Sequence, residues 1–226
     1  MIRTLYSVMT AMLLITLSAC SGTNKVAEQR ALLGEHADAD AQTYVFTCED
    51  DFRFTARTQN GTAWLFLRRE TLQLPAAVST TGEKYQDGEN TFWIKGDEAT
   101  LSSQKRTHKG CKNNRRKAIW EHAKLSGVDF RAVGNEPGWV LEISNKTDIQ
   151  FLADYGQSRY SFTGTEVSSA TQMLTTIYEG KNEADRVEVT ITGTRCGDSM
   201  SGEKFPVTVS VRLNEKVYRG CGRALH

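Results

Sequence analysis

A hydroxyl at Thr81 and an ammonium at Lys95 lie fourteen residues apart, in a stretch that combines glycines with large aromatic side chains. Gly82 allows a tight turn, while Tyr85 and Trp93 can anchor the chain on either side of it. A hairpin over this stretch would let the hydroxyl and the ammonium face each other. The pattern predicts a polar plug for the active site of another protein.

The surroundings of Lys95 set further expectations. We place Lys95 on the strand face opposite Trp93 and therefore expect its ammonium to be exposed. From Glu83 to Glu98 the chain carries five acids against two lysines, a net charge of minus three. Such an acidic rim would speed the encounter with a cationic protein more than it would tighten the complex. Tyr85 and Trp93 are interpreted mainly as framework, because small barrels need large aromatic side chains inside.

The elements that must position these groups are short strands. Apolar and polar residues alternate across residues 43–112, and Asn60-Gly61 is a hairpin turn signal. The pattern predicts a β domain over this range, with strands from residue 44 to Arg57 and at residues 62–69, 71–74, 90–95 and 98–102.

A helical segment and a second β domain follow. Residues 113–127 have helical composition, with Gly127 as a stop signal and an apolar side formed by Ile119, Trp120, Ala123 and Leu125. Period two returns in residues 128–226, with strands expected at 139–144, 149–153, 160–163, 173–178, 187–192, 206–213 and 216–219. The predicted fold class is all-β: two small antiparallel β-barrel or sandwich domains joined by a short helical linker.

The amino-terminal residues 1–19 have the cation, apolar run and small residues of a secretory signal peptide. A cysteine directly after Leu17-Ser18-Ala19 resembles the bacterial lipobox, which implies lipidation of Cys20; the alternative is an ordinary signal peptide with an incidental cysteine. Several acyl chains would anchor the protein firmly. We interpret residues 20–42 as a flexible, lipidated tether. Ser21 stands where inner-membrane lipoproteins tend to carry Asp, so the resemblance implies the outer membrane, facing the periplasm.

Cysteine usage agrees with export. Without Cys20, an even set of four remains, as expected in an oxidising compartment: Cys48, Cys111, Cys196 and Cys221. Pairing Cys48 with Cys111 and Cys196 with Cys221 follows the domain division better than either crossed arrangement. Each closure should stabilise the fold by roughly 3 to 4 kcal/mol in the chain-entropy model.

Two short motifs resemble those of a known family, the membrane-bound inhibitors of C-type lysozyme. The motifs are Thr81-Gly82-Glu83-Lys84-Tyr85 and Trp93-Ile94-Lys95-Gly96-Asp97-Glu98-Ala99, within residues 44–111. The resemblance implies that a motif hydroxyl and a motif lysine enter the lysozyme cleft and contact its catalytic carboxylates. Here these positions are Thr81 and Lys95. The family has serine where this chain has Thr81, so Ser79 is the alternative hydroxyl; Tyr85 is a further predicted contact.

The second domain carries Gly134-Asn135-Glu136-Pro137-Gly138-Trp139 and a turn that begins at Cys196. These resemble the motifs of a domain family of bacterial envelope lipoproteins, a resemblance that implies no activity. Glu136 and Asp198 could pair as carboxylates and Ser201 could act as a nucleophile. However, no histidine accompanies them in a comparable motif. We interpret these segments as structural turns closed by a disulfide, in an accessory or ligand-binding module.

Several function classes are not supported. A net charge of +1 does not favour nucleic acid as a partner, and no phosphate-cradling glycine loop or zinc-ligand spacing is found. We therefore expect no enzyme activity, no cofactor and no metal. The partners predicted are C-type lysozyme and a membrane, with a homodimer through an edge strand as a further expectation. The rival interpretation is an envelope structural or lipid-binding lipoprotein without inhibitory activity.

Overall fold

The computed structural model of the chain describes residues 40–170 and 174–226, with side chains omitted for residues 167–170. The predicted signal segment and the lipidation of Cys20 lie outside the described residues.

The first β domain is an eight-stranded antiparallel barrel in which each strand pairs with the next along the chain. The last strand closes the barrel against the first, with Phe46 opposite Asn113 and Thr47 opposite Lys112. The strands are β1 (Gln42–Thr47), β2 (Arg53–Gln59), β3 (Thr62–Phe66), β4 (Thr71–Ala77), β5 (Glu83–Gln86), β6 (Thr91–Lys95), β7 (Glu98–Ser102) and β8 (Thr107–Asn113). We call this domain the first barrel.

Two strands of the first barrel were not predicted. The four-residue β5 lies between Gly82 and Gly88, outside the strands expected from the sequence at residues 71–74 and 90–95. The sequence of β8 is almost entirely polar, and Cys111 is its one buried residue. Neither strand carries the alternation of apolar residues that identified the others, so only pairing with neighbours defines them.

The core of the first barrel is a cluster of inward-facing aromatic rings. Phe46 lies at its centre, with its ring centroid 5.3 Å from that of Phe54 and 5.9 Å from that of Phe92. The Phe92 ring stands edge-on to the other two, an arrangement that aromatic quadrupoles favour. Because Phe92 is on β6, the strand that ends at Lys95 is fixed from inside the barrel.

The linker forms helix α1 (Arg115–Leu125). The side chain of Asn114 accepts a hydrogen bond from the backbone N–H of Lys117 at 3.0 Å, which caps the first turn. The predicted apolar side was wrong at Ile119, which is 53% exposed, while Ala118 is buried instead. Among the described residues, no helix combines the length and apolar character needed to cross a membrane.

The prediction failed at Ile119 because α1 packs against both β domains. His122 Nδ1 lies 3.1 Å from Thr43 Oγ1 on β1, whereas the Trp120 ring packs at 5.3 Å from that of Phe205 in the second β domain. The helix therefore buries residues on more than one side, and a single apolar stripe does not describe it.

The second β domain is also a closed eight-stranded barrel, here called the second barrel. Its strands are β9 (Val128–Asn135), β10 (Gly138–Ser144), β11 (Asp148–Ala153), β12 (Ser158–Ala170), β13 (Thr175–Lys181), β14 (Arg186–Thr192), β17 (Val207–Leu213) and β18 (Lys216–Ala224). A two-stranded ribbon, β15 (Cys196–Gly197) with β16 (Lys204–Phe205), leaves the barrel between β14 and β17. The ribbon was not predicted, and β12 is much longer than the expected residues 160–163.

The closure of both barrels bears on two of the earlier expectations, the fold class and the homodimer. The all-β fold class is confirmed, with barrels in both domains. Within the described residues, the disulfides are Cys48–Cys111, which joins the ends of the first barrel, and Cys196–Cys221, which joins the ribbon to β18. Neither described barrel has an open edge strand, so the route that motivated the homodimer is absent from both barrels. The homodimer itself stays a prediction.

Candidate protein-binding site on the first barrel

Trp93 and Lys95 lie on the same face of β6, which corrects our placement of them on opposite faces. Residues two apart in a strand point to one side, and Trp93 alternates with the buried Phe92 and Ile94. The Lys95 ammonium rests 3.7 Å from the centroid of the Trp93 ring. Trp93 is therefore a platform on the outer wall of the barrel, and not part of the core as we had expected.

The loop of residues 78–82, here called the contact loop, is tied to the same platform. The indole N–H of Trp93 donates a hydrogen bond to the carbonyl oxygen of Thr81 at 2.8 Å. The hydroxyl of Ser79 donates a second one to this oxygen, also at 2.8 Å. Thr81 is exposed, and its side chain makes no hydrogen bond to any residue that the structure describes. One indole thus contacts the segment bearing the predicted hydroxyl and the predicted ammonium.

Gly82 explains how the contact loop can approach β6 so closely. Its φ of +67° lies in the left-handed region, which residues with a β-carbon rarely adopt. A β-carbon built on Gly82 would lie 2.2 Å from the carbonyl oxygen of Ile94 and 3.0 Å from Cγ of Lys95. Only glycine allows this contact, which brings Thr81 next to the end of β6.

The two-residue turn between β6 and β7, Gly96-Asp97, directly follows Lys95. The carboxylate of Asp97 is bound by residues outside the hairpin: Arg115 Nε donates to Asp97 Oδ1 at 2.9 Å, and Asn113 Nδ2 lies 3.3 Å from the same oxygen. The hydrogen bond from Arg115 keeps the pKa of Asp97 below its ordinary value. Lys95 makes no ion pair within the described residues, although Glu98 is opposite it in the hairpin.

Tyr85 belongs to the core, in agreement with its framework interpretation. Its side chain is only 6% exposed, and its hydroxyl donates to Glu83 Oε2 at 2.6 Å. Burial, followed by the hydrogen bond and charge of Glu83, raises the pKa of Tyr85 well above its ordinary value. Its predicted contact with a partner remains a prediction, and its observed contacts are those of a residue that supports β5.

The acidic rim is weaker than composition indicated. Arg115 neutralises one of its five carboxylates, that of Asp97. A second, Asp87, accepts hydrogen bonds from the backbone N–H groups of Glu89 and Asn90 and so fixes the turn between β5 and β6. That turn is at the opposite end of the hairpin from Lys95. The remaining carboxylates nearest the candidate site are those of Glu83 and Glu98.

Sequence reasoning missed two features of the site. Val78 begins the contact loop and is 98% exposed, which offers an apolar contact beside the polar groups. A hollow of about 320 Å³ also lies between the contact loop and the β6–β7 turn. Its lining includes Gly82, Glu83, Gly96, Asp97 and Arg115. A valine in a polar loop was a signal in the sequence, whereas the hollow depends on the pairing of distant residues.

The motifs of the second barrel come together, but their contacts are structural. Asp198 accepts hydrogen bonds from the backbone of its own turn and, at 2.8 Å, from Asn135 Nδ2. The Trp139 ring fills the space left by Gly134 and Gly220, whose β-carbons would collide with it. Asp198 is thus occupied within its turn. Glu136 and Asp198 both line a surface hollow of the second barrel, but Glu136 makes no hydrogen bond to Asp198 or Ser201 among the described residues.

The first barrel therefore defines a small disulfide-closed domain that presents a hydroxyl, an ammonium and an apolar side chain from adjacent loops. Residues 46–109 match the family described as membrane-bound lysozyme-inhibitor of c-type lysozyme. The match covers most of the first barrel and under a third of the chain; α1 and the second barrel lie outside it. The comparisons with curated proteins and with solved structures gave no match.

Proposed function

We propose that this chain inhibits C-type lysozyme by inserting Lys95 and Thr81 into the active-site cleft. The observation that carries the proposal is the Trp93 indole, which contacts Lys95 and the Thr81 backbone together within the segment that matches the inhibitor family. Two groups on one support can enter one cleft without reorganisation, which lowers the entropic cost of binding.

The chemistry of the target suits these two groups. A retaining lysozyme needs one protonated carboxyl as acid and one ionised carboxylate as nucleophile or stabiliser. The Lys95 ammonium would pair with the ionised carboxylate, and the Thr81 hydroxyl would bond to either. The hydrogen bond from Ser79 to the Thr81 carbonyl favours Thr81 over Ser79 as the contacting hydroxyl, because the Ser79 hydroxyl is already engaged. The action is steric and electrostatic occlusion, and the chain carries out no reaction.

The location follows from the same proposal. A lipid chain on Cys20 would hold the protein at the outer membrane, facing the periplasm, where lysozyme arrives on its way to the cell wall. The family that residues 46–109 match is described as membrane-bound, which supports an anchor. Residues 20–42 would then act as the tether between the anchor and the first barrel.

A lysis assay with the soluble chain, residues 21–226, tests the proposal without requiring the lipid. The turbidity of a cell-wall suspension is followed after C-type lysozyme is added, with and without the chain at micromolar concentration. We expect lysis to slow in proportion to the concentration of the chain. Unchanged lysis with the Cys48–Cys111 disulfide intact would refute inhibition and favour the rival, an envelope structural or lipid-binding role.

A further inference from the structure

Helix α1 contributes a residue to the candidate site from outside the family match. Arg115 is the first residue of α1, six residues beyond the end of the matched segment. Its guanidinium contacts both carboxylate oxygens of Asp97, with Nε 2.9 Å from Oδ1 and Nη2 on Oδ2. Such a two-point contact fixes orientation as well as charge. The helix thereby holds the turn that directly follows Lys95.

The alternative partner of the Asp97 carboxylate is the ammonium of Lys95, two residues away. A carboxylate released by Arg115 would be able to approach Lys95 and draw it from the face of Trp93. It would also add an unpaired negative charge where the lysozyme carboxylates must approach, and like charges brought together oppose binding. Asn113 supports the observed arrangement, because its backbone N–H donates to the Asp97 carbonyl at 2.8 Å and its amide contacts Oδ1.

We propose that Arg115 is a positioning residue of the inhibitory site, which keeps the Asp97 carboxylate away from Lys95 and offsets its charge. This inference rests on the proposed inhibition of lysozyme. The inhibitory unit then extends beyond the second cysteine of the first barrel into α1, and a fragment that ends at residue 112 lacks part of it.

The first test compares Arg115→Ala with Arg116→Ala in the soluble chain. Arg116 is exposed on the same helical turn and makes no ion pair within the described residues. We expect Arg115→Ala to raise the inhibition constant by about 3- to 5-fold, the upper end for an exposed ion pair, because the side chains of Arg115 and Asp97 are 79% and 43% exposed. Arg116→Ala should stay within about twofold of the unmodified chain. Thermal unfolding of both variants establishes that they fold.

The second test separates positioning from general support of the fold. If Arg115 acts by restraining the Asp97 carboxylate, then Asp97→Asn in the Arg115→Ala background removes the competing charge. The double variant should recover most of the lost inhibition, whereas a merely structural role predicts inhibition no better than that of Arg115→Ala. The pKa of Asp97, followed by carboxyl NMR without lysozyme, should rise in Arg115→Ala.

The outcomes are distinct. If the unmodified chain does not inhibit, the proposed function fails and this inference fails with it. If the unmodified chain inhibits and Arg115→Ala inhibits equally well, only the role of Arg115 is refuted and the proposed function stands. A weakened Arg115→Ala that Asp97→Asn does not restore would also overturn the positioning mechanism.

Discussion

The indole nitrogen of Trp93 lies 2.8 Å from the carbonyl oxygen of Thr81, although twelve residues separate them in the chain. The same indole carries the Lys95 ammonium on its ring face. The edge and the face of one side chain thus position two different groups, and substitutions can separate the two roles.

Trp93→Phe removes the N–H donor but keeps an aromatic face under Lys95. We expect it to weaken inhibition by about 3- to 10-fold, the effect of one hydrogen bond of about 0.5 to 1.5 kcal/mol. Trp93→Leu also removes the cation–π contact, worth about 0.5 to 1 kcal/mol at an exposed site, and should weaken inhibition further. Inhibition constants of both variants check this order. Equal losses in the two variants would contradict separate roles for edge and face.

Lys95→Ala should cause the largest loss of any single substitution. Truncating one member of a desolvated charge pair costs roughly 2 to 5 kcal/mol, which is about 30-fold or more in the inhibition constant. Lys84→Ala is the matched control, because Lys84 is opposite Trp93 in the β5–β6 pairing but is not at the end of the hairpin. A comparable loss in the two variants would show that charge near the site, and not insertion of Lys95, causes inhibition.

The contacting hydroxyl can be identified with three variants of the contact loop. Thr81→Ala should weaken inhibition several-fold, whereas Thr81→Ser keeps the hydroxyl and should retain it. Ser79→Ala removes an internal hydrogen bond of the loop, so its effect should be smaller and roughly the same against different C-type lysozymes. If Ser79→Ala is the most damaging of the three, the contact belongs to Ser79.

Gly82→Ala tests the close approach of the contact loop to β6. The positive φ at position 82 alone should lower the unfolding free energy of the alanine variant by about 1 to 2 kcal/mol. The collision of the new β-carbon with the Ile94 carbonyl oxygen lowers it further. Gly88→Ala is the control, because Gly88 also has positive φ but its β-carbon would meet nothing within 4 Å. Chemical denaturation should show a larger loss of unfolding free energy for Gly82→Ala. Inhibition should fall only in Gly82→Ala.

The Asp97–Arg115 pair predicts a dependence of stability on pH. The pKa of Asp97 is lowered from its ordinary value of 3.8 on folding, so its ionised form stabilises the folded state. This contribution is fully present above pH 3.8 and is lost as the pH falls through the lower, folded value. Unfolding free energies of the unmodified chain and Asp97→Asn should differ at pH 7 and converge as the pH falls below 3.8. A constant difference across this range would rule out the ion pair as its source.

The fold was predictable where local patterns determine it. Period-two alternation identified most strands, because each strand of a barrel has one face in the core and one in solvent. The polar strand β8 is defined by its pairing with β7 and with the distant β1, and the two-residue strands of the ribbon that begins at Cys196 are too short to show any alternation. Closure of the barrels is likewise a property of the whole set of strands.

The candidate site was likewise predictable only where local sequence determines it. The turn glycine and the motif lysine were found from residue type and spacing, but we placed Lys95 on the wrong face relative to Trp93 although period two puts both on one side. The pair between Arg115 and Asp97 spans a strand, a turn and the start of a helix, so spacing alone does not reveal it. Residues in a helical linker gave no sign that one of them reaches the β6–β7 turn.

The register of the β5–β6 hairpin has a consequence for how such inhibitors diverge in evolution. Thr81 and Lys95 stay together because Gly82 packs against the end of β6, whereas the turn fixed by Asp87 lies at the far end of the hairpin. Insertions or deletions in that turn would change the fourteen-residue spacing without moving the site. The length of this turn can therefore vary between related proteins while Thr81 and Lys95 stay side by side.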